Sequence, residues 1–529
     1  MALKGELAEF TPFDIEQVTP RLETLRASFR SNKTKDVEFR LRQLRKLYWA
    51  IRDNEALIHE ALRRDLGKSK VEASMAEIDW CAEECMVQIK GLPKWSRDEK
   101  IPDLPLLVAP ATLRIRNEPL GTVLVIGAFN FPFQLSLAPV IGAIGAGNTV
   151  VLKPPELAPW TSMAIKKVMD DSLDPDCYVC MVGGLNISKH LLEHKFDKIA
   201  FTGGRRTGTI VAKKAAETLT PVLLELGGLN PAFVTRSANI PMAGRRLLWQ
   251  KCMAAGQLCV SHNYALVERS VVDAFVEALK VSYRDFFPAG ARDSPDYSRI
   301  GYADHFHRLR RMLEQSSGKV VLGGGMDEAD RFFEPTVVLV EDPKDSLIVD
   351  ETFGPIWSIV PYDSLDDAIE LAREIDPTPL ALYVFGNEAE NDKVLKNITS
   401  GGATFNDGFT HGIPNAVPFG GVGTSGSGAY RGRASFREFS HRRCIAKMPF
   451  WADALMRVRY MPYLPGQHQQ FRRIGYAAPN FDRNGDVVKG LGYWASFVLT
   501  LGAKRASGAA ARWAILLLTA FALKLRETR

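Results

Sequence analysis

The chain has few cysteines: seven occur among its 529 residues, at irregular spacing. A secreted domain that depends on disulfides needs a denser and paired set, so the composition favours a reducing compartment. Two pairs, Cys81 with Cys85 and Cys177 with Cys180, have the separation of redox or metal-binding cysteines. Neither has a second pair or a histidine at ligand spacing, so we expect incidental thiols there and no metal site.

Long apolar runs are also lacking. No stretch of eighteen or more apolar residues occurs, and the first residues lack the apolar core of a secretory signal. Two shorter apolar stretches, Leu491–Gly502 and Trp513–Leu523, lie near the C-terminus on either side of Lys504-Arg505. The second would rise about 16 Å as a helix, roughly half the hydrocarbon thickness of a bilayer. We expect shallow insertion, a re-entrant hairpin or a tilted span that uses both stretches.

Charge is unevenly distributed along the chain. From His441 to the end, fifteen Lys and Arg stand against four Asp and Glu, whereas the whole chain carries a net charge of +6. A basic tail can contact nucleic acid or anionic lipid. No nucleic-acid-binding motif accompanies this tail, so we expect a membrane surface and no nucleic acid. A helix that is buried in a dimer is the alternative.

The order of predicted elements indicates an α/β protein. Amphipathic helices are predicted at 13–30, 36–66 and 71–91, the second stopped by Gly67 and the third by Gly91 and Pro93. Between Thr122 and Leu226, short apolar strands alternate with helix-length segments, which is typical of a Rossmann-like doubly wound parallel sheet. A second α/β unit follows, to about Pro418. Such sheets bind ligands at the carboxyl ends of their strands.

Three residues in strand-end or glycine-marked turns are candidates for catalysis. Cys259 lies in the turn Ala254–Ser261, and a thiol becomes a strong nucleophile when its thiolate is stabilised. Glu225, in Leu-Glu-Leu-Gly-Gly at the end of an apolar strand, is suited to act as a general base. Asn130 follows the first strand, where its amide could face a developing oxyanion. A small buried thiol and an ordinary turn asparagine are the alternatives.

Other turns suggest a dinucleotide. Lys153 and Glu156 follow the second strand and could bind ribose hydroxyls, although a surface ion pair is equally consistent. Thr202-Gly203-Gly204 joins a strand to a helix, with glycines for close approach and a helix N-terminus for pyrophosphate. It is not the G-x-G-x-x-G fingerprint. The turns at Glu351 and Phe419 are unremarkable by themselves.

In this order, the turns resemble those of the aldehyde dehydrogenase superfamily, over about residues 14–445. Within it, the chain looks most like the class 3 and fatty aldehyde dehydrogenase branch, because of Gly401–Asp407, His411 and the stretch from Phe419 to Tyr430. The motifs that carry the family resemblance are the Asn130 turn, Lys153-Pro154-Pro155-Glu156, Phe201-Thr202-Gly203, Leu224-Glu225-Leu226-Gly227-Gly228, Gly256-Gln257-Leu258-Cys259, Glu351-Thr352-Phe353-Gly354-Pro355 and Pro418-Phe419-Gly420-Gly421.

The resemblance implies a role for each residue. Cys259 would attack the aldehyde, Asn130 and the Cys259 backbone N–H would hold the oxyanion, and Glu225 would activate the hydrolytic water. The cofactor would be NAD, with NADP open because Arg205 and Arg206 adjoin the phosphate turn. The cofactor-binding residues would be Lys153, Glu156, Thr202, Gly203, Gly204, Glu351 and Phe353. The substrate pocket would include Phe419, Leu258 and His411.

The resemblance also divides the chain. Residues 1–228 would form the NAD(P)-binding domain, with 100–120 as a bridging or oligomerisation segment, and residues 229–418 the catalytic domain. Residues 419–447 would close the active site and contribute to a homodimer. Residues 448–529 would form a basic, apolar-ended tail that associates with a membrane.

We therefore expect NAD(P)+-dependent oxidation of medium- or long-chain aliphatic aldehydes to acids. The tail predicts C-terminal anchoring on the cytosolic face of an intracellular membrane, with the endoplasmic reticulum favoured. Three alternatives stay open: a soluble enzyme for aromatic or short aldehydes, a non-catalytic membrane-docked scaffold, and a CoA-acylating enzyme. Retention of Glu225 favours water over CoA as the acyl acceptor.

Overall fold

A computed structural model describes residues 6–101, 104–454, 456–503 and 506–527. The chain forms two compact units. One comprises Met1–Asp98 and Arg116–Arg443, and the other comprises Glu99–Ile115 and Cys444–Arg529. Both large sheets and the candidate site belong to the first unit.

Helices precede the first large sheet, and their ends follow local sequence signals. Asp36 begins α2 by accepting a hydrogen bond from the Phe39 N–H at 2.9 Å, and Gly67 ends α3 at a φ of +65°, as predicted. The predicted helix 36–66 is interrupted at Asn54. The helices are α1 (Val18–Arg30), α2 (Val37–Asp53), α3 (Glu55–Leu66), α4 (Lys70–Ala73) and α5 (Asp79–Trp95), with a π-helical turn at Ser74–Ile78 between the last two.

Helix α5 is longer than predicted, because Gly91 and Pro93 do not end it. Leu92 is buried, and the Trp95 ring packs against Phe436 with centroids 5.8 Å apart. That ring also occupies the space beside Gly91, where a Cβ would lie 2.1 Å from it. Burial of the last turn therefore outweighs the two helix-breaking residues. Two short strands, β1 (Glu99–Lys100) and β2 (Thr112–Pro119), then pair antiparallel.

The first large sheet is doubly wound, as predicted. Its parallel strands have the order β7-β6-β3-β4-β5, and every residue of the central β3 and of β4 is buried. Apolar side chains of α1, α8 and α9 cover one face, and those of α6 and α7 cover the other. The elements are β3 (Thr122–Ile126), α6 (Pro132–Ala146), β4 (Thr149–Lys153), α7 (Pro159–Ser172), β5 (Tyr178–Cys180), α8 (Leu185–Leu192), β6 (Lys198–Gly203), α9 (Arg205–Ala216) and β7 (Val222–Leu226).

The second large sheet has the order β10-β13-β14-β9-β8-β15-β16, and only the pairing of β10 with β13 is antiparallel. The elements are β8 (Pro231–Val234), α10 (Ile240–Cys252), β9 (Tyr264–Glu268), α11 (Val272–Phe286), α12 (Ala303–Gln315), β10 (Lys319–Leu322), β11 (Met326–Asp327), β12 (Phe332–Phe333), β13 (Thr336–Leu339), α13 (Ser346–Val349), β14 (Ile356–Tyr362), α14 (Leu365–Ile375), β15 (Ala381–Phe385), α15 (Glu388–Asn397) and β16 (Gly402–Phe405). The predicted α/β fold with parallel sheets is confirmed.

The remaining elements include two apolar helices near the C-terminus. No helix among the described residues is long and apolar enough to cross a bilayer. Lys504 and Arg505, which separate the apolar stretches, lie outside the described residues. The elements are β17 (Gly426–Ser427), α16 (Gly432–Glu438), β18 (Ser440–Lys447), α17 (Gln467–Gly475), α18 (Leu491–Thr500) and α19 (Ala506–Glu527). Short 3₁₀ turns occur at Ile15–Gln17, Lys33–Lys35, Leu106–Val108, Met253–Gly256, Arg269–Val271, Thr410–Gly412, Gly423–Ser425, Phe450–Ala454 and Arg457–Arg459.

Candidate active site

The strand register of the first sheet brings the predicted turns to one edge. Lys153 pairs with Ile126, which pairs on its other side with Phe201, and Thr202 pairs with Glu225. The turns after these strands therefore leave the same carboxyl edge of a parallel sheet, where such sheets bind ligands.

The loop that carries Cys259 is held in an unusual conformation. Ala254, Ala255 and Gly256 all have positive φ angles, of 47°, 50° and 72°. Only glycine fits at 256, because a Cβ there would lie 2.1 Å from the Gly354 carbonyl oxygen. The Cys259 carbonyl accepts a hydrogen bond from the Asn230 side-chain amide at 2.7 Å. These contacts fix the backbone on both sides of the thiol.

Asn130 lies against this loop. Its Nδ2 donates a hydrogen bond to the Gln257 carbonyl at 2.8 Å, and its side chain is buried. A primary amide has two N–H groups, so the second one remains for another acceptor. Gln257 is fixed in turn, since its Nε2 donates to the Ala254 carbonyl at 2.8 Å. The amide and the thiol loop thus form one hydrogen-bonded assembly.

Glu225 is a buried carboxyl group with no hydrogen-bond partner among the described residues, for either oxygen. Burial raises its pKa to about 8, and the positive charge of Arg431 opposes that shift. Burial also raises the pKa of the Cys259 thiol to about 12, and the charges of Glu225 and Glu351 act in the same direction. The resting cysteine is therefore a neutral thiol at neutral pH. It must lose its proton as it attacks, and Glu225 is suited to accept a proton near physiological pH.

An apolar cavity opens at Cys259. Leu258 and Phe419, two of the three residues that the family resemblance assigns to the substrate pocket, belong to its wall. His411, the third residue assigned to the pocket, is not among the lining residues, and its Nδ1 lies 2.7 Å from Thr404 Oγ1. The wall consists of Met75, Ala76, Trp80, Phe131, Gln134, Leu135, Trp249, Met253, Leu258, Cys259, Val260, Phe409, Gly412, Ile413, Phe419 and Arg431.

Arg431 is a site residue that the sequence reasoning missed. Its guanidinium carbon lies 4.0 Å from the centre of the Phe419 ring and 5.0 Å from that of Trp80. It donates a hydrogen bond to the Gly412 carbonyl, and its backbone φ is +85°. In the sequence it is one of many arginines at the start of the basic tail. Its position directly after the glycine-rich stretch, in Gly-Ala-Tyr-Arg-Gly, was the available signal.

The residues predicted to bind a dinucleotide surround the same strand ends. Lys153 is buried and forms an ion pair with Glu156. Gly203 leaves no room for a side chain, because a Cβ would lie 2.6 Å from the Phe201 ring. Gly204 faces open space at the N-terminus of α9. The buried ammonium group of Lys153, the open space at Gly204 and the N-terminus of α9 together suit a phosphate-containing cofactor.

Two further predicted cofactor residues lie in one turn. The Glu351 carboxylate adjoins Gly227, where a Cβ would lie 2.1 Å from it. Burial raises the pKa of Glu351 to about 7, with the charge of Arg205 opposing the shift. Phe353 has a φ of +49°, and its carbonyl accepts a hydrogen bond from His305 Nε2 at 2.8 Å. Glu351 is thus close to the end of β7, on which Glu225 lies.

Arg205 does not offer a free cation to a 2′-phosphate. Its Nη2 is paired with Asp376, and its Nε donates to the Gly227 carbonyl at 3.2 Å. Arg206, the next residue, is exposed.

The four cysteines in the two spaced pairs are buried free thiols.

Comparison with known proteins identifies the same family as the residues do. The aldehyde dehydrogenase family model matches residues 2–445. The beta-apo-4'-carotenal oxygenase of Gibberella fujikuroi is 54% identical over 519 residues, which are 98% of this chain and 96% of that protein. The aldehyde dehydrogenase family 3 member B3 of Mus musculus is 40% identical over 85% of this chain and 94% of its own length.

A solved structure agrees with this. The substrate-bound state of Staphylococcus aureus AldH superposes with a TM-score of 0.82 at 37% identity, covering 86% of this chain and 99% of that one.

Proposed function

This chain belongs to the aldehyde dehydrogenase family, and we propose that it oxidises long apolar aldehydes, carotenoid-derived aldehydes first among them, to carboxylic acids. It is an NAD(P)-dependent oxidoreductase. The overall reaction converts an aldehyde, water and NAD(P)+ into a carboxylate, NAD(P)H and two protons. The apolar cavity that opens on Cys259 is the observation that carries the substrate class.

In the proposed mechanism, the Cys259 sulfur forms a bond to the carbonyl carbon while the thiol proton passes to Glu225, which then releases it to solvent. The free N–H of the Asn130 amide and the Cys259 backbone N–H stabilise the oxyanion of the resulting thiohemiacetal. NAD(P)+, when bound, would supply the hydride acceptor, and loss of that hydride from the former aldehyde carbon would leave a thioester on Cys259. Glu225 then takes a proton from water as the water oxygen attacks the thioester carbonyl. The carbon–sulfur bond breaks, the acid leaves, and the Cys259 thiolate takes the proton back from Glu225.

The cofactor would be held by the residues at the carboxyl edge of the first sheet. Lys153 and Glu156 are placed to bind a ribose, and Thr202, Gly203 and Gly204 to bind the pyrophosphate. Glu351 and Phe353 are assigned to the nicotinamide side. The ion pair of Arg205 with Asp376 occupies one of the two cations beside the phosphate turn, and the exposed Arg206 is the other, so NAD is proposed first and NADP stays open.

A carotenoid-derived aldehyde is favoured over other apolar substrates by one observation. The Gibberella fujikuroi relative, named for beta-apo-4'-carotenal, aligns over 98% of this chain, far past residue 445, whereas the mouse family 3 relative covers 85%. The C-terminal tail is therefore shared with the apocarotenal-named relative. A saturated long-chain aliphatic aldehyde is the second candidate, since a mostly apolar wall suits either chain.

We also propose that the tail docks on a membrane, on the cytosolic face of an intracellular membrane such as the endoplasmic reticulum. Two side chains of α19 donate hydrogen bonds to the last residues of α18 and its C-cap. Trp513 Nε1 donates to the Leu499 carbonyl, and Arg512 Nη1 donates to the Leu501 carbonyl. Both helices expose large apolar residues, with Leu499 71% and Leu517 66% exposed. A short apolar hairpin with basic neighbours suits shallow insertion. A homodimer is the proposed assembly.

The substrate proposal is tested with NADH formation in detergent, from beta-apo-4'-carotenal, hexadecanal, hexanal and benzaldehyde. We expect kcat/KM to be at least tenfold higher for the two long substrates, because each buried methylene contributes about 0.8 kcal/mol. Activity that falls as the alkyl chain lengthens from six to sixteen carbons would contradict the proposal.

The membrane proposal is tested with vesicles that contain anionic phospholipid. Leu517→Glu should weaken co-sedimentation, whereas Leu219→Glu, at a position 91% exposed in the first unit, should not. Equal binding of both variants and the wild type would count against a docking hairpin.

A further inference from the structure

The short segment from Lys68 to Ile78 contains three buried ionisable side chains. Lys68, Glu72 and Glu77 are each at most 6% exposed. Lys68 directly precedes the N-cap of α4, Glu72 lies in α4, and Glu77 lies in the π-helical turn. A buried charge costs several kcal/mol unless it is paired or hydrogen-bonded. All three are paired or hydrogen-bonded, and each contacts the Asn130 turn, the start of α6 or the thiol loop.

Lys68 and Glu77 hold the Asn130 turn. The Lys68 ammonium donates to the Asn130 carbonyl at 2.8 Å, lies 3.7 Å from the centre of the Phe131 ring and is paired with Glu77. The other Glu77 oxygen accepts hydrogen bonds from the Phe133 and Gln134 N–H groups, at 2.8 and 3.3 Å. The ion pair thus fixes the turn at its first residue and at the start of α6.

Glu72 holds the thiol loop. One of its oxygens accepts a hydrogen bond from the Ala254 N–H at 2.8 Å, and the other accepts one from the Ser298 hydroxyl at 3.1 Å. Ala254 is the first of the three positive-φ residues that lead to Cys259. A backbone in this conformation persists only where its surroundings hold it.

We propose that Lys68 and Glu72 are positioning residues that together set the distance between the Asn130 amide and the Cys259 thiol. This inference rests on the proposed roles of Asn130 and Cys259. The two loops come from separate α/β regions of the chain, and one segment of eleven residues, 68–78, is bonded to both. A shift of about 1 Å between a catalytic donor and the reacting group costs up to roughly 100-fold in rate.

The test uses full-length variants chosen to avoid an unpaired buried charge. Lys68→Met combined with Glu77→Gln removes the donor to Asn130 and leaves an acceptor for α6. We expect kcat to fall about 10- to 100-fold, with the KM for NAD+ unchanged. Alkylation of Cys259 by iodoacetamide needs no oxyanion donor, so its rate should stay at the wild-type value.

Variants of Glu72 test the contact with the thiol loop. Glu72→Leu should lower both kcat and the alkylation rate, because it releases the thiol loop. Glu72→Gln keeps an acceptor for the Ala254 N–H and a partner for Ser298, and should restore most of the activity that Glu72→Leu loses. Circular dichroism and NAD+ binding report whether each variant is folded.

The outcomes separate this inference from the proposed function. Wild-type kcat in the folded Lys68→Met/Glu77→Gln variant would overturn it, as would a parallel loss of kcat and alkylation there. Activity that survives Cys259→Ala would instead refute the catalytic assignment itself.

Discussion

Replacing Glu225 with glutamine should stabilise the folded protein, and increasingly so as the pH rises. The carboxyl is buried with no hydrogen-bond partner among the described residues, and its pKa of about 8 lies well above the ordinary value of 4.5. Between these two values the folded state keeps a proton that the unfolded state has lost. Stability therefore falls with rising pH, by about 1.4 kcal/mol per pH unit, to a total of roughly 5 kcal/mol above pH 8.

Glutamine does not titrate. The difference in free energy of unfolding between Glu225→Gln and the wild type should therefore grow in favour of the variant as the pH rises from about 4.5 to about 8. Urea unfolding, followed by tryptophan fluorescence at pH 5.5, 6.5, 7.5 and 9, measures the difference. Glu374→Gln removes an exposed carboxylate from α14 and is the matched control. A difference that stays constant or shrinks between pH 5.5 and 7.5 would refute a buried carboxyl with a raised pKa.

Three further predictions concern the same site. Arg431→Gln should move the midpoint of the pH profile of thioester hydrolysis upward from about 8, because the guanidinium lowers the pKa of Glu225. Arg437→Gln, at an exposed position of α16, should leave the midpoint unchanged, and equal profiles for the two variants would count against this charge effect. Gly256→Ala should abolish activity and lower the free energy of unfolding by more than about 3 kcal/mol. Gly290→Ala, at a φ of +91° with open space around it, should lower it by only about 1–2 kcal/mol, and similar losses would contradict the steric argument. Alkylation of Cys259 should accelerate about tenfold per pH unit from pH 7 to 10, and a plateau below pH 9 would mean that the thiol pKa is not raised.

Much of the fold follows from local pattern. The strands of the first sheet are continuous apolar runs, because both of their faces are covered by helices. Three strands of the second sheet have weaker local signals. Strand β8 begins with Pro231, β16 begins with Gly402, and β10 is an edge strand with little burial. Their place is set by pairing with distant strands, which local propensity does not record.

The candidate site was predictable where a motif marks it. Cys259, Glu225 and Asn130 lie together because three sequence-distant turns converge, and each turn carries its own glycine or strand-end signal. Arg431 is marked only by its position after the glycine-rich stretch, and Glu72 carries no such signal. One looks like a residue of a basic tail, and the other like any charged residue of a helix. Their burial against the cavity and the thiol loop appears only once the chain is folded.

The covalent role of Cys259 toward a long apolar aldehyde is tested most directly by trapping the intermediate. Glu225→Gln, mixed with beta-apo-4'-carotenal and NAD+, should form NADH more slowly than the wild type, reach about one NADH per site and then stop, because Glu225 accepts the thiol proton in the first half-reaction and the water proton in the second. Intact-protein mass spectrometry should show the mass of the aldehyde less two hydrogens added at Cys259. Cys259→Ala should show neither NADH nor adduct. NADH formation that persists in Cys259→Ala, or a burst without an adduct at Cys259, would contradict the mechanism.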